Sequence, residues 1–150
     1  MILILIIIIV SGTVFLIMIT KKKSKEYEMQ FLEANKNRAI VNIYSINTKI
    51  NSIDVSRLNS IRARKGQRIV ALETGTHTFE GRFFAIDSEL NYKTEKVKFS
   101  IELKNGYTYT LGLFFSPPEQ FYNTPKAIFV LPLKMKNSDK ISFVICYQEN

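Results

Sequence analysis

Cysteine and histidine are almost missing from this chain of 150 residues, which carries one of each, Cys146 and His77. A single thiol excludes a disulfide scaffold and leaves no disulfide partner. One histidine and one cysteine are too few for a His/Cys metal site within one chain. The six glycines are scattered, so no phosphate-cradling loop can be assembled from local sequence. Nucleophile-elbow, P-loop and dinucleotide fingerprints are also absent. Asp87 and Glu89 are paired carboxylates, but they sit in a polar stretch, 87–96, and read as solvated loop charge. His77 follows a glycine and opens a strand, where a histidine packs or hydrogen-bonds locally. Cys146 lies inside the last strand as a small hydrophobe. The expectation is a non-enzyme with no catalytic residue, no metal and no cofactor.

Charge is missing from the first nineteen residues, where only Ser11, Gly12 and Thr13 interrupt an apolar run. Nineteen helical residues span about 28 Å, close to the ~30 Å hydrocarbon core of a bilayer. In lipid a helix satisfies every backbone group internally, which outweighs the modest helix propensity of Ile and Val. A core helix of a globular protein would carry a polar stripe, and none exists here. A cleaved signal needs a basic segment before the apolar run and a small-x-small site after it. The run ends instead in Ile19-Thr20-Lys21-Lys22-Lys23. Residues 1–20 therefore read as an uncleaved transmembrane signal-anchor whose partner is membrane lipid. Lys21, Lys22, Lys23 and Lys25 follow it, and the positive-inside rule favours a cytoplasmic domain, with an extracytoplasmic one left open. Residues 21–38 read as a charged, helical juxtamembrane stalk.

From residue 39 onward the apolar period is two. Val97, Phe99, Ile101 and Leu103 alternate with Lys98, Ser100 and Glu102, the pattern of a strand with one buried face. Tyr107, Tyr109, Leu111 and Leu113 alternate with Thr108, Thr110 and Gly112. Asn105-Gly106 between them predicts a type I′ hairpin with Tyr109 facing inward. Further strands are expected over 39–46, 50–55, 67–72, 76–86, 127–133 and 141–147, separated by turn-rich segments. Seven or eight short strands predict a mainly β protein, an antiparallel β-sandwich over residues 39–150 behind the N-terminal helix. Eleven Phe and seven Tyr supply the bulk of its core.

The segment Val70-Ala71-Leu72-Glu73-Thr74-Gly75-Thr76-His77-Thr78-Phe79 resembles the strand–turn–strand of PEGA-type and related bacterial prealbumin-like domains, with Thr74 where those carry proline. Residues 97–103 and Asn105-Gly106-Tyr107-Thr108-Tyr109 are similar to that family's alternating strand, Gly and Tyr-x-Tyr/Leu. Ile53-Asp54-Val55 stands where the family has a short Asp-Gly-like hairpin. The likeness covers roughly residues 39–113. It implies an Ig-like or prealbumin-like sandwich at a bacterial membrane or envelope, with no catalytic residues; many relatives of this kind are exported.

Two clusters offer binding chemistry. Arg57, Arg62, Arg64, Lys65 and Arg68 fall within 56–68, a stretch with no acid. Such a loop can meet phosphates or other anions. No aromatic residue lies between 57 and 68, which disfavours nucleic acid. A lipid headgroup is the nearer anion if this loop lies at the end of the domain close to Ala39. The second cluster surrounds Pro117-Pro118, where Phe114, Phe115, Phe121 and Tyr122 either form a contact surface for a protein partner or plug the open end of the sandwich. The function expected is a single-pass membrane protein that presents a binding or scaffolding domain. Anionic-lipid contact through 56–68 is the alternative, and an enzyme with a dispersed site is the rival class.

Overall fold

The structure is a computed structural model that describes residues 2–63, 66–86, 92–116, 126–136 and 138–149, with the side chains of 2–9 and 11 excepted. The chain divides into two compact units, Met1–Ala34 and Asn35–Asn150.

The first unit is one helix, α1 (Ile2–Ala34), which continues through most of the stalk expected from sequence. Side chains at 14–19 are exposed on all sides of it, from 36% for Ile19 to 65% for Phe15. Its hydroxyls turn back onto the helix. Thr13 Oγ1 donates to the Val10 carbonyl at 2.8 Å, and Thr20 Oγ1 to those of Leu16 and Ile17 at 3.1 and 3.0 Å. Among the described residues no helix is long and apolar enough to cross a membrane. Residues 1–9 and 11, which hold half of the apolar run, lie outside the described side chains. The transmembrane span expected for residues 1–20 thus rests on sequence hydropathy.

The second unit is mainly β. Its strands are β1 (Ala39–Ile50), β2 (Ile53–Asp54), β3 (Ser60–Arg62), β4 (Gln67–Leu72), β5 (Gly75–Phe83), β6 (Val97–Leu103), β7 (Thr108–Phe114), β8 (Lys126–Lys134) and β9 (Ile141–Gln148). One ladder runs β3-β4-β1-β7-β9-β8. The far half of β1 also pairs with β2 and β5, and β5 with β6. β1 therefore belongs to two layers. It passes between them through a bulge at Ile46–Lys49, where Asn47 takes a φ of 52°. Asparagine tolerates this left-handed conformation better than most residues, so the strand bends there instead of ending. The break expected between 46 and 50 is thus a bulge.

The two layers face one another in a sandwich-like arrangement. Val41, Ile43, Val70, Leu111, Val144 and Cys146 from the first layer meet Phe79, Phe83, Ile101 and Leu103 from the second, all buried. Burying such side chains contributes roughly 1.5–3 kcal/mol each, which is what draws the alternating faces together.

Two expectations are corrected. The sheet is mixed and not antiparallel, because β1 and β7 pair in parallel, with Val41 opposite Tyr109. Parallel neighbours need a crossover, and the chain from β2 through β6 supplies it. The hairpin expected across Asn105-Gly106 does not exist. β6 pairs with β5 along its whole length, and β7 pairs with β1 and β9. Only Gly106 has positive φ, at 81°. The corner carries the chain from one layer to the other: Asn105 N–H donates to Thr74 Oγ1 at 2.9 Å and Gly106 N–H to the Arg38 carbonyl at 3.1 Å. The two-residue turn with both residues at positive φ lies at Asn51 and Ser52, at 52° and 68°, joining β1 to β2. Asn-Ser is a weaker turn signal than Asn-Gly, and here the pairing of β1 with β5 holds it. The corner predicts unequal mutants. Gly106→Val should cost about 1 kcal/mol or more, since a β-branched residue is strained at that φ. Asn105→Ala should stay within about 0.5 kcal/mol. Urea unfolding midpoints of the two variants measure this difference.

Candidate anion-binding cleft

The basic segment begins just after the Asn51–Ser52 turn. Asp54 closes β2 and caps a single 3-10 turn, Val55–Arg57, by accepting from Ser56 N–H at 2.8 Å and from the Ser56 hydroxyl at 2.6 Å, both on Oδ1. These two bonds hold the Asp54 carboxyl below the usual carboxylate range, and the positive charges of Arg57 and Arg68 act in the same sense. The chain then forms the β3–β4 hairpin. Ser60 Oγ donates to the Val55 carbonyl at 2.7 Å and accepts from Arg68 Nη1 at 3.1 Å. That relay ties the 3-10 turn to the hairpin and fixes the Arg68 guanidinium, which is half-buried.

In the ladder Arg62 stands directly opposite Arg68. Cross-strand partners share a sheet face, so both side chains lie on the face that carries Val70. They border a cleft of about 430 Å³, lined also by Ser45, Thr48, Asp54, Ser56, Gly66 and Gln67. Ser45 and Thr48 are buried and hydrogen-bond through their hydroxyls. The β1 bulge puts both hydroxyls on this wall. At the hairpin tip Gly66 has a φ of 82°, and a Cβ there would come 3.3 Å from the Phe84 ring.

Of the five basic residues expected to act together, the structure brings Arg62 and Arg68 to one cleft. Arg57 is exposed on the 3-10 turn beside it. Arg64 and Lys65 lie outside the described residues. The sequence reading missed Asp54, Ser56, Ser45 and Thr48. The Asp-x-Ser spacing at 54–56 is a cap signal legible in sequence, whereas the Ser45–Thr48 pair depends on the bulge.

The aromatic cluster is partly settled. Phe114 is buried, edge-on to Tyr147 with centroids 5.2 Å apart, and half-buried Phe115 packs on Tyr92 at 6.0 Å. Phe114 thus fills the fold, and Phe115 is packed against it on one side. Phe121 and Tyr122 lie outside the described residues, as do Asp87 and Glu89.

A larger concavity of about 880 Å³ lies at the turn between β8 and β9, floored by Tyr92, Val97, Leu133 and Met135. Two of its lysines already face acids: Lys134 sits 3.8 Å from Asp139 and Lys136 sits 3.6 Å from Glu95. In the arginine cleft, by contrast, neither Arg62 nor Arg68 is in an ion pair among the described residues. His77 is a structural tie. Its Nδ1 accepts from Asn51 Nδ2 at 3.0 Å and its Nε2 donates to the Glu73 carbonyl at 2.8 Å. Burial pushes the Cys146 thiol up to about 12, so it is inert as a nucleophile. Among the described residues, no three His, Cys, Asp or Glu side chains gather where a metal could be held.

Compared with known proteins, the chain matches no family model, no curated protein and no solved structure.

Proposed function

We propose that this chain is a single-pass membrane protein in which residues 1–20 anchor a non-catalytic β-domain that binds or scaffolds a partner. The observation that carries this reading is α1 itself. Consecutive apolar side chains at 14–19 stand exposed around its whole circumference, while its threonine hydroxyls are satisfied by its own carbonyls. A soluble helix hides an apolar stripe against a core. A helix apolar all round is suited to a lipid surrounding, and the sequence over residues 1–13 is likewise without charge. Lys21, Lys22, Lys23 and Lys25 then favour a cytoplasmic β-domain. The Ig-like or prealbumin-like kinship of that domain belongs to the same proposal, supported by the layered strands.

The test is extraction. Full-length chain in isolated membranes should resist high salt and alkaline carbonate, and deletion of residues 1–20 should release it to the soluble fraction. Release of the intact chain by carbonate would overturn the anchor. A reporter active only in the cytoplasm, fused after Asn150, should be active, and silence of that reporter would reverse the orientation.

For the basic hairpin, one observation favours a soluble anion over the bilayer. The domain's first strand begins at Ala39, opposite Leu72, while Arg68 pairs with Ile43. Four residues of strand separate the two positions, about 13 Å. Arg62 and Arg68 therefore sit away from the Ala39 end, where lipid-headgroup contact would require them.

A further inference from the structure

We infer that the cleft between the β3–β4 hairpin and the β1 bulge binds a phosphate monoester, with Arg62 and Arg68 clamping the phosphate. The inference rests on the basic hairpin being a ligand surface and not on the membrane anchor.

The first ground is the register. Like charges placed directly across a ladder repel, and a strand pair gains nothing from them. Arg62 and Arg68 hold such positions, and among the described residues neither is in an ion pair. Asp54, which lines the same cleft, offsets part of this repulsion through Arg68, and a dianion between the two guanidinium groups would turn the remainder into attraction.

The second ground is preorganisation. Arg68 is steered by Ser60 Oγ, itself bonded to the Val55 carbonyl, so its orientation is set before a ligand arrives. Only one guanidinium nitrogen is used in this way, leaving the rest of the fork for oxygen acceptors.

The third ground is the count of charge and acceptors. A phosphate monoester near neutral pH carries close to two negative charges and three terminal oxygens, enough to receive two guanidinium forks. A single carboxylate offers one bidentate edge and half the charge. The cleft, at about 430 Å³, is also larger than a bare ion needs and falls in the range of small-ligand sites. Asp54 lines the cleft, and both of its bonds from Ser56 go to Oδ1, so neither uses the acceptor capacity of Oδ2. An ester bearing a hydroxyl suits that wall, and a bare polyanion does not. Free glycerol phosphate carries both the phosphate and the hydroxyls, whereas phosphatidic acid, with its other glycerol oxygens acylated, shares only the phosphate monoester.

The experiment uses the full-length chain in phosphatidylcholine nanodiscs, titrated calorimetrically with glycerol 3-phosphate at low salt. Saturable binding is expected. Arg62→Gln or Arg68→Gln should weaken it about tenfold or more, and the double variant should abolish it. Lys134→Gln, at the other concavity, should leave it unchanged. Without ligand, Arg62→Gln should unfold about 1–4 °C higher than the parent because the repulsion is relieved. In nanodiscs doped with phosphatidic acid, unchanged affinity assigns the site to a soluble ester, and weakened affinity assigns it to the headgroup. Absence of saturable binding in plain nanodiscs would overturn the inference. So would an equal loss from Lys134→Gln, or a lower unfolding temperature for Arg62→Gln. None of these outcomes bears on the anchor, which carbonate extraction tests separately.

Discussion

Replacing Tyr109 with alanine should destabilise the β-domain by about 3–5 kcal/mol, a large share of the 5–15 kcal/mol that holds a typical domain folded. Tyr109 lies on β7 at 1% exposure, one of the largest side chains buried in the domain. Its strand sits between β1 and β9 in the ladder, so the cavity would open in the middle of the first layer. Its hydroxyl adds a second role. It accepts the Lys104 N–H at 3.0 Å and points toward the Lys104 carbonyl at 3.4 Å, holding the end of β6 where the chain crosses between layers. Tyr109→Phe keeps the ring and leaves that N–H without its acceptor, so it should cost about 1–3 kcal/mol. Thr110 faces the opposite way, half-buried, with its hydroxyl donated to the Glu149 carboxylate. Thr110→Ala should cost less than about 1 kcal/mol. The lone buried Cys146 provides the measurement, because its thiol stays protonated in the folded chain and reacts with a disulfide reagent once the domain opens. Urea titrations followed by thiol labelling should rank the variants Ala, then Phe, then Thr110→Ala. A Thr110→Ala variant weaker than Tyr109→Ala would reverse the face assignment of β7.

The second large effect is expected at Phe99. On β6 its ring stacks on Phe129 of β8 at 4.6 Å and meets Phe83 at 5.4 Å and Phe79 at 6.1 Å. β6 and β8 have no ladder between them. Side chains alone therefore link these two strands across the layers, and the aromatic stack is the closest ring pair among them. Phe99→Ala should cost about 3 kcal/mol, at the lower end for a large aromatic because the residue is half-buried. A double-mutant cycle with Phe129→Ala should return a coupling of about 0.5–1.5 kcal/mol, the range for an aromatic pair beyond simple burial. A coupling near zero would mean that the two rings do not hold the layers together.

Local pattern carried most of the strand assignments. The alternation over residues 97–103 specifies which residues of β6 face the core, and the runs at 67–72 and 141–147 place β4 and β9 within a residue of their ends. The inward face of Tyr109 was likewise legible, since a period of two leaves one choice once Leu111 and Leu113 are buried. Charge composition singled out the 56–68 stretch without any structure. Pairing was not legible in this way. Asn105-Gly106 has the chemistry of a hairpin, yet β5 occupies one edge of β6 and β7 is drawn between β1 and β9. Which edges meet is decided by burial summed over the whole core, a quantity no two-residue turn contains.

The same division runs through the candidate cleft. Sequence by itself determined an uncharged amino-terminal run, a β-rich body and an acid-free basic loop, because each is a property of neighbours along the chain. Only the tertiary structure decided that Arg62 stands opposite Arg68, since that depends on the register of β3 on β4. It alone brought Asp54 and the Ser45–Thr48 hydroxyls to the same wall, through a bulge that sends one strand into two layers. Register and bulge arise from contacts between residues far apart in sequence, and their energies are fixed only when the partners are in place.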